Sequence, residues 1–487
     1  MKPLFLLAPT AAVCAALLAA CSTQPAYQRP ALDVPAAYKE GVEGSGVWQT
    51  AQPADAVPDD WWTLFNDATL NALQQQAAAS NQNIAQSVAN LRSAMASVQS
   101  SRAALWPTLG LNAGATRSRS NSAVTANGTV NTSSYETSTF TTGLSASWEP
   151  DLWGKLSGAV DSARLAAQAS ADDLAALRLS VQSTVAQTYF SLRAGDVQTR
   201  LLRETLAAYQ RSWDMTRNRY AAGVASSADV AQAESQYKSA QSQLIEAETS
   251  RAQLEHALAA LVGQPPAAFT LPPLAESADL PAPPPVPAQL PSRLLERRPD
   301  IAAAERRVAA ANAQVGVAKA AYFPDLTLSA SAGYRSTALS NLFKAPYLVW
   351  SVGPALAASL FDGGARSAAV ESARAAQDQA TATYRQTVIT ALQEVEDNLV
   401  AGAALEREQA VQQEAVAAAQ RALEVTLNQY RAGTVAYLNV LSAQATALSA
   451  QSSLISVRNR RLAATATLLK NVAGRWEAWD APHESAR

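Results

Sequence analysis

The sequence predicts an α+β membrane protein, in which an internally duplicated barrel of long α-helices is joined to a transmembrane β-barrel. Three features support this fold class: an apolar leader, a repeated motif, and four segments in which apolar and small polar residues alternate. The 487-residue chain is 48% hydrophobic but only 6% aromatic, and much of the apolar share is alanine. Because alanine is the best helix former and the smallest apolar side chain, this composition favours long, closely packed helices.

Composition also narrows the function. The chain has 38 Lys and Arg against 40 Asp and Glu, so it lacks the basic character of proteins that bind nucleic acid by bulk electrostatics. A four-ligand zinc site would need all of the two His and two Cys in the chain at once, so we expect neither a metal nor a cofactor. Since the sequence has no Gly-rich phosphate loop and no recognisable nucleophile motif, we do not expect an enzyme. A peptidoglycan hydrolase is the enzymatic alternative.

The N-terminus has the pattern of an export signal. In residues 1–20 only Lys2 is charged, and an apolar stretch follows it, which is typical of a signal peptide. The stretch ends in LAAC at Cys21, which resembles the bacterial lipobox, where the cysteine is lipidated and becomes the mature N-terminus. An ordinary cleavage site beside a chance cysteine is the alternative. Ser22 favours the outer over the inner membrane, and residues 21–65 are expected to form a lipid-anchored extension.

The rest of the chain contains an internal repeat. The motif RNRYAAG, which ends at Gly223, matches LNQYRAG, which ends at Gly433, at an offset of 433 − 223 = 210 residues. Between the copies lies a stretch with ten of the 24 prolines, which cannot be helix or inner strand because proline lacks the backbone N–H. The predicted division is repeat 1 at 66–263, a Pro-rich connector at 264–296, repeat 2 at 297–474 and a tail at 475–487.

Each repeat is predicted to contain long helices. A first helix is expected over 66–105, before Pro107. Long helices then follow at about 155–262, interrupted at Gly223, and at about 365–472, interrupted at Gly433, where 437–472 is the returning helix. In the first of them an apolar stripe recurs every three or four residues, at Leu174, Leu177, Val181, Val185, Tyr189 and Leu192. A run of this length would span roughly 100 Å, so such helices must pack sideways on one another.

Strands are predicted between the helices, at about 108–148 and 325–361. Apolar residues alternate there with Gly, Ser and Thr, which is typical of a membrane barrel with its small polar side chains facing inward. A half-buried soluble sheet would alternate in the same way, but the export signal and Trp148, Tyr334 and Trp350 near the strand ends favour the membrane. Pro354 is expected at an edge or a bend. After residue 20 no stretch is apolar for long enough to form a membrane helix.

Four strands cannot close a barrel in one chain. Lipid tolerates no open sheet edge, and even a barrel of about eight strands is filled by its own side chains. We therefore expect partner copies, of which three would supply about twelve strands and an open lumen.

Four motifs together resemble a known family. They are Cys21, the opening WWTLFND at 61–67, the signature LERRPDI at 295–301, and the two Tyr-Xaa-Ala-Gly turns at Gly223 and Gly433. The mature chain resembles the TolC-like outer-membrane factors, in particular their lipidated branch, the NodT-type lipoproteins of resistance-nodulation-division efflux systems. Within the signature, Asp300 has a simpler interpretation, which is to cap the helix that follows Pro299.

The resemblance implies a function and partners. It implies a homotrimer with a twelve-stranded outer-membrane barrel and a periplasmic helical barrel. It also implies the outer-membrane channel of a tripartite efflux pump, which passively conducts drugs or other toxic small molecules, with a periplasmic adaptor protein and an inner-membrane proton-driven pump as partners. The alternatives are a type I secretion tunnel and a structural envelope lipoprotein.

The resemblance also implies a candidate site, a constricted periplasmic aperture near the Gly223 and Gly433 hairpin turns. At the positions where the family presents acidic residues, this sequence has Asn439 and Ser442, which are neutral. The first repeat keeps Asp229, three copies of which would favour cations, and Tyr430 matches a tyrosine that holds the closed state. The alternative for Asp229 is that it only N-caps its helix.

Overall fold

The computed structural model describes residues 24–32, 39, 48–50, 60–126, 129–288 and 298–472. The leader at 1–20, the lipidation candidate Cys21, the first part of the LERRPDI signature and the tail at 475–487 lie outside the described residues. Among the described residues there are six strands and seven α-helices. They are β1 (Trp48–Thr50), α1 (Ala68–Ser80), α2 (Gln82–Ala103), β2 (Thr108–Ala126), β3 (Thr129–Trp148), α3 (Lys155–Ala221), α4 (Ser227–Leu261), β4 (Val286–Ala288), α5 (Pro299–Ala320), β5 (Asp325–Ser336), β6 (Leu348–Ala357), α6 (Ala365–Arg431) and α7 (Tyr437–Val472).

These elements belong to two compact units, which do not follow the sequence repeats. The strand unit contains Leu91–Ala169 and Ala304–Tyr384 together with the N-terminal stretch that ends at Pro30. The helical unit contains Ala31–Asn90, Ser170–Ala303 and the chain from Arg385 onward. Each unit thus draws on both halves of the chain, and the division into two sequential repeats stays a prediction.

The strand unit contains a four-stranded antiparallel sheet in the order β2-β3-β5-β6. β3 pairs with β5 from Phe140 opposite Ser336 to Trp148 opposite Leu328, so a strand of the first half is joined to a strand of the second half. β2 and β6 are the outer strands, and among the described residues of the chain each has one edge without a strand partner. Pro354 lies in β6, opposite Leu328 of β5, so it is on an edge strand of the sheet within one chain.

The hairpin of β2 and β3 is longer than its partner hairpin. β2 and β3 have 19 and 20 residues, whereas β5 and β6 have 12 and 10. Because the pairing of β3 with β5 starts at Phe140, the part of β3 before that residue pairs with β2 alone. This part of the hairpin is a two-stranded ribbon, with an ion pair of 2.6 Å between Arg117 and Glu136.

The helical unit is organised around the apolar stripe of α3. Five of the six residues that define the stripe are buried, and Leu177 is half-buried. The prediction of one helix over 66–105 was wrong in one respect, because Asn81 separates α1 from α2. Its side-chain oxygen accepts from the amides of Asn83 and Ile84, and its Nδ2 donates to the Leu261 carbonyl at 2.7 Å. Asn81 therefore starts a second helix and ties it to the end of α4.

The opening motif WWTLFND forms an aromatic cluster followed by a helix cap. Trp61 is fully buried, its ring lies 6.5 Å from that of Phe65, and Phe65 lies 4.7 Å from Phe190 of α3. Asp67 is the N-cap of α1, and its carboxylate also accepts a 2.6 Å hydrogen bond from the hydroxyl of Tyr189. The motif thus fixes the entry of the chain into the helical unit.

Arginine side chains fasten the proline-rich connector to the helices. Asp196 of α3 accepts from Arg193 at 3.0 Å and from Arg251 of α4 at 2.8 Å, and it also accepts from the amide of Leu274 in the connector. Arg200 donates to three connector carbonyls, those of Ala275, Glu276 and Ala278. The connector is not wholly irregular, because β4 pairs in parallel with β1. Side-chain donors here replace the backbone bonds that proline cannot make.

The signature around Asp300 has a structural role in the helical unit. α5 begins at Pro299, so Asp300 lies in its first turn rather than before it. Asp300 binds Arg298 at 2.7 Å and accepts from the amide of Ile301, while Arg298 also binds Glu394 of α6 at 2.9 Å. Burial opposes ionisation of Asp300, but the hydrogen bonds and charge of Arg298 outweigh it and hold the pKa of the carboxyl below its usual range.

Candidate functional site

The candidate site lies in the helical unit, at the two turns that end the long helices. Gly223 after α3 and Gly433 after α6 have positive φ angles of 75° and 77°. The amide of Val224 donates to the Arg219 carbonyl, and the amide of Thr434 donates to the Gln429 carbonyl, which is the Schellman pattern at both sites. Glycine is required at both positions because a Cβ disfavours this left-handed conformation.

The helix after the first turn begins with a capping box. Ser226 is the N-cap of α4, and its hydroxyl accepts from the amide of Asp229 at 3.1 Å. In return the Asp229 carboxylate accepts from the amide of Ser226 at 3.0 Å. Asp229 is therefore the third residue of a capping box, and Ser226 rather than Asp229 is the N-cap. The Asp229 side chain is half-buried.

The helices around the second turn enclose a hydrophobic cluster, which we call the turn cluster. It consists of the buried residues Ala233, Tyr430, Tyr437 and Val440, against which Trp213, Met215, Leu427 and Val435 pack. The rings of Tyr430 and Tyr437 are 5.3 Å apart and meet edge to face. Tyr430 is only 4% exposed, so its ring is part of a packed core that joins α4, α6 and α7.

Arg219 connects the two turns. Its guanidinium lies 4.9 Å from the centre of the Tyr430 ring, and its Nη1 donates to the Arg431 carbonyl at 3.2 Å. The end of α3 is thus held to the end of α6 by a cation–π contact and one hydrogen bond.

The four aperture candidates have different environments. Tyr430 is buried in the turn cluster and Asp229 is in the capping box, whereas Asn439 and Ser442 are exposed on α7. Sequence reasoning missed Tyr437, Arg219 and Trp213. None of these has an equivalent residue type 210 positions away, so the repeat carries no signal for them.

Tyr437 has an unusual acidity. Burial raises the pKa of its hydroxyl to about 12, and the neighbouring Tyr430, Tyr209 and the Asp229 carboxylate add to the effect by repulsion. The folded pKa is thus higher than the ordinary value of 10.0, so the neutral hydroxyl stabilises the folded turn cluster.

The first prediction concerns this hydroxyl. We expect the Tyr437 hydroxyl to make its full contribution to folding stability below pH 10. That contribution should be lost as the pH rises towards 12, because ionisation would leave a buried phenolate. Tyrosinate absorbance of the protein and of Tyr437→Phe is titrated, and the difference curve isolates this one group. A midpoint near the ordinary value of 10.0 would contradict the prediction, and Tyr220→Phe, at an exposed tyrosine, is the control.

The described residues contain neither a metal-binding group nor a membrane-spanning helix. Among the described residues no group of three or more His, Cys, Asp or Glu side chains is placed to hold a metal ion. None of the described helices is both long and apolar enough to cross a membrane.

A four-stranded sheet with two outer strands, in one chain with two pairs of long helices that return at glycine turns, is typical of an outer-membrane channel protein. The chain belongs to the outer membrane efflux protein family, whose sequence profile matches residues 73–264 and 290–474. It is therefore an outer-membrane efflux channel protein, and the family resemblance and the fold class expected from the sequence are confirmed.

Individual relatives agree with this assignment. The chain is 34% identical to the pyoverdine export outer membrane protein OpmQ of Pseudomonas aeruginosa over 464 residues, which cover 95% of each protein. It is 32% identical to the toluene efflux pump outer membrane protein TtgC of Pseudomonas putida over 467 residues, or 96% of this chain and 95% of that protein. The outer-membrane channel OprN matches in structure with a TM-score of 0.81 at 27% identity, covering 93% of this chain and 99% of that one.

Proposed function

We propose that three copies of the chain form a closed barrel of twelve strands in the outer membrane, joined to a periplasmic barrel of helices. The observation that supports this is the pair of open edges on the four-stranded sheet, at β2 and β6. Lipid cannot satisfy unpaired backbone groups, so each β2 must meet the β6 of a neighbouring copy. Twelve strands also enclose more space than the eight or so that side chains fill.

This trimeric channel is the passive outer-membrane component of a tripartite pump. A periplasmic adaptor protein and a proton-driven inner-membrane pump supply the cargo and the energy, and the channel itself performs no catalysis. The names of the two relatives mention pyoverdine export and toluene efflux. Because one fold carries such different cargo, we assign to this chain small toxic molecules as a class rather than one compound. Lipidation of Cys21 holds each copy in the outer membrane.

The purified protein in a planar lipid bilayer tests this proposal. We expect a stable ionic conductance, together with lower resistance of the deletion strain in a panel of drugs, solvents and metals. A structural envelope lipoprotein would give no conductance. A type I secretion tunnel would conduct but would leave the susceptibility panel unchanged and would instead abolish export of a protein.

A second prediction concerns the aperture that we propose at the turns, with Tyr430 as a latch. Tyr430→Ala removes a buried ring from the turn cluster and the cation–π contact of Arg219. If the latch costs about 1.5–3 kcal/mol to open, the conducting fraction should rise about tenfold or more. Tyr220→Ala is the matched control, because Tyr220 occupies the equivalent position in the other turn and is 52% exposed. Equal conductance of the two variants would reject the latch.

Asp229, Asn439 and Ser442 are proposed to line the same aperture. Asp229→Asn separates the two roles of this residue, since the amide oxygen can still accept from Ser226 in the capping box while the negative charge is lost. We expect the preference for cations over anions to fall while the helix stays intact. An unchanged reversal potential across a salt gradient would mean that Asp229 only caps α4.

A further inference from the structure

The N-terminal segment 24–30 lies against three helices of the strand unit. Arg29 forms an ion pair of 3.3 Å with Glu305 of α5 and donates from Nε to the Tyr384 hydroxyl of α6, also at 3.3 Å. Asn312 of α5 donates from Nδ2 to the Pro25 carbonyl at 2.9 Å. Asn312 is in turn oriented by Gln377 of α6, whose amide donates to its Oδ1 at 3.1 Å. Glu305, Asn312 and Gln377 thus hold this segment, or position the residue that holds it.

Two helix glycines make room for the start of the segment. A Cβ on Gly316 of α5 would lie 3.1 Å from Gln24 Cα and 3.3 Å from Pro25 Cδ, and a Cβ on Gly158 of α3 would collide with Gln24 Nε2. Glycine in a helix interior is unfavourable by about 1 kcal/mol relative to alanine. Glycines at both points of closest approach are therefore explained by the segment that packs on them.

This groove lies close to the rim of the sheet. Gly158 is in the first turn of α3, and the start of α3 is tied to the start of β5 by the ion pair of Lys155 with Asp325 at 3.1 Å. Trp153 adds a hydrogen bond of 2.8 Å to the Pro324 carbonyl. Gln24, which packs on Gly158, is thus near the point where helix gives way to strand.

Cys21 precedes Gln24 by three residues, and three residues of extended chain span at most about 11 Å. A lipid on Cys21 would therefore be confined to the neighbourhood of the sheet rim. If residues 24–30 were not held, the tether between the lipid and the helices would extend to the helix cap at Asp67. So long a tether would not restrict the depth of the strands in the membrane.

We propose that residues 24–30 are a strap, and that the groove formed by Gly158, Glu305, Asn312, Gly316 and Tyr384 is its seat, which sets the lipid anchor at the membrane rim of the strands. The strap holds the chain at the depth where its strands enter the bilayer, and so it promotes assembly of the barrel. The anchoring role rests on the proposed lipidation of Cys21, whereas the seat does not.

The test compares Gly316→Leu with Gln314→Leu in the full-length lipidated protein, in outer-membrane fragments opened so that protease reaches the periplasmic face. Leucine is a better helix former than glycine, so Gly316→Leu should harm only what packs on that position, and Gln314 is exposed on the same helix. The first readout is chymotryptic cleavage after Tyr27, identified by a product that begins at Gln28. We expect cleavage at least tenfold faster in Gly316→Leu and unchanged in Gln314→Leu.

Arg29→Met is a second variant, which removes the ion pair and the hydrogen bond from the strap itself and leaves the helices untouched. It should also speed cleavage, by several-fold. The second readout is the yield of heat-stable oligomer in the outer membrane, which should fall several-fold in Gly316→Leu and Arg29→Met. Equal cleavage rates in all forms would overturn the seat, and a released strap with unchanged oligomer yield would overturn the anchoring role.

A non-lipidated form separates this proposal from the proposed function. When the chain is exported on a signal peptide without the lipobox cysteine, the ratio of cleavage rates between Gly316→Leu and Gln314→Leu should persist, because the seat is built from the chain alone. Loss of the ratio in this form would overturn the seat. Absence of conductance in the purified protein would count against the proposed function, but it would not change the ratio of cleavage rates.

Discussion

Asp196→Ala is expected to lower the free energy of unfolding of the helical unit by about 3–5 kcal/mol. The side chain of Asp196 is only 3% exposed, and its two oxygens accept from Arg193, Arg251 and the amide of Leu274. Removing the carboxylate leaves two guanidinium groups close together with less compensating charge, and it releases the connector from α3. Urea unfolding of the detergent-solubilised protein, followed by circular dichroism, measures the change.

The control for this prediction is Glu248→Ala. Glu248 forms an ion pair with Arg203 at 2.7 Å, but both side chains are about half exposed, at 46% and 60%. Exposed pairs are screened by water and contribute about 0–1 kcal/mol, so this variant should unfold almost like the unmodified protein. Equal losses in the two variants would show that burial of the Asp196 network does not govern its contribution.

Trp61→Ala is expected to cost about 3–5 kcal/mol in the same measurement, because it removes a fully buried indole. The ring packs against Trp62 and Phe65, and Phe65 carries the contact on to Phe190 of α3. The cavity would lie immediately before the cap of α1, so we expect the first helices to lose protection from hydrogen exchange before the long helices do.

Trp62→Ala is the matched control, since the neighbouring indole is of the same size but only half-buried. We expect it to cost about 1 kcal/mol. A Trp62 variant as unstable as the Trp61 variant would mean that the two side chains contribute as one unit and that their difference in burial is not decisive.

The positions of the long helices could be predicted from the sequence because the signals are local. The stripe on α3 repeats every three or four residues, and glycine ends both long helices at Gly223 and Gly433. Strand alternation is equally local, and it located all four strands of the sheet. The break at Asn81 was missed although its cap on the amides of Asn83 and Ile84 is local, because one asparagine in a long run without Gly or Pro is a weak signal. The bond from its Nδ2 to the Leu261 carbonyl, far along the chain, has no signal in the local sequence.

The contacts of the proline-rich connector could not be predicted from the sequence either. Its prolines predicted an extended segment, but no pattern indicates that Asp196 and the arginines around it would hold that segment against α3 and α4. Charged residues at such spacing on a helix are ordinarily a solvated face. Only the packed structure brings them together and buries them. Loss of one partner from a buried ion pair is strongly destabilising, because the remaining charge is left uncompensated.

By itself the sequence determined the long helices, the strand segments, the glycine turns and the family, whereas the export signal stays a prediction. The tertiary structure alone decided the different fates of equivalent positions in the two turns. Tyr220 and Tyr430 are equivalent under the repeat, yet Tyr220 is 52% exposed and Tyr430 is 4% exposed. The reason is physical: a side chain is buried by neighbours from other helices, here Tyr437, Val440 and Arg219, and a repeat in one segment does not specify what packs against it.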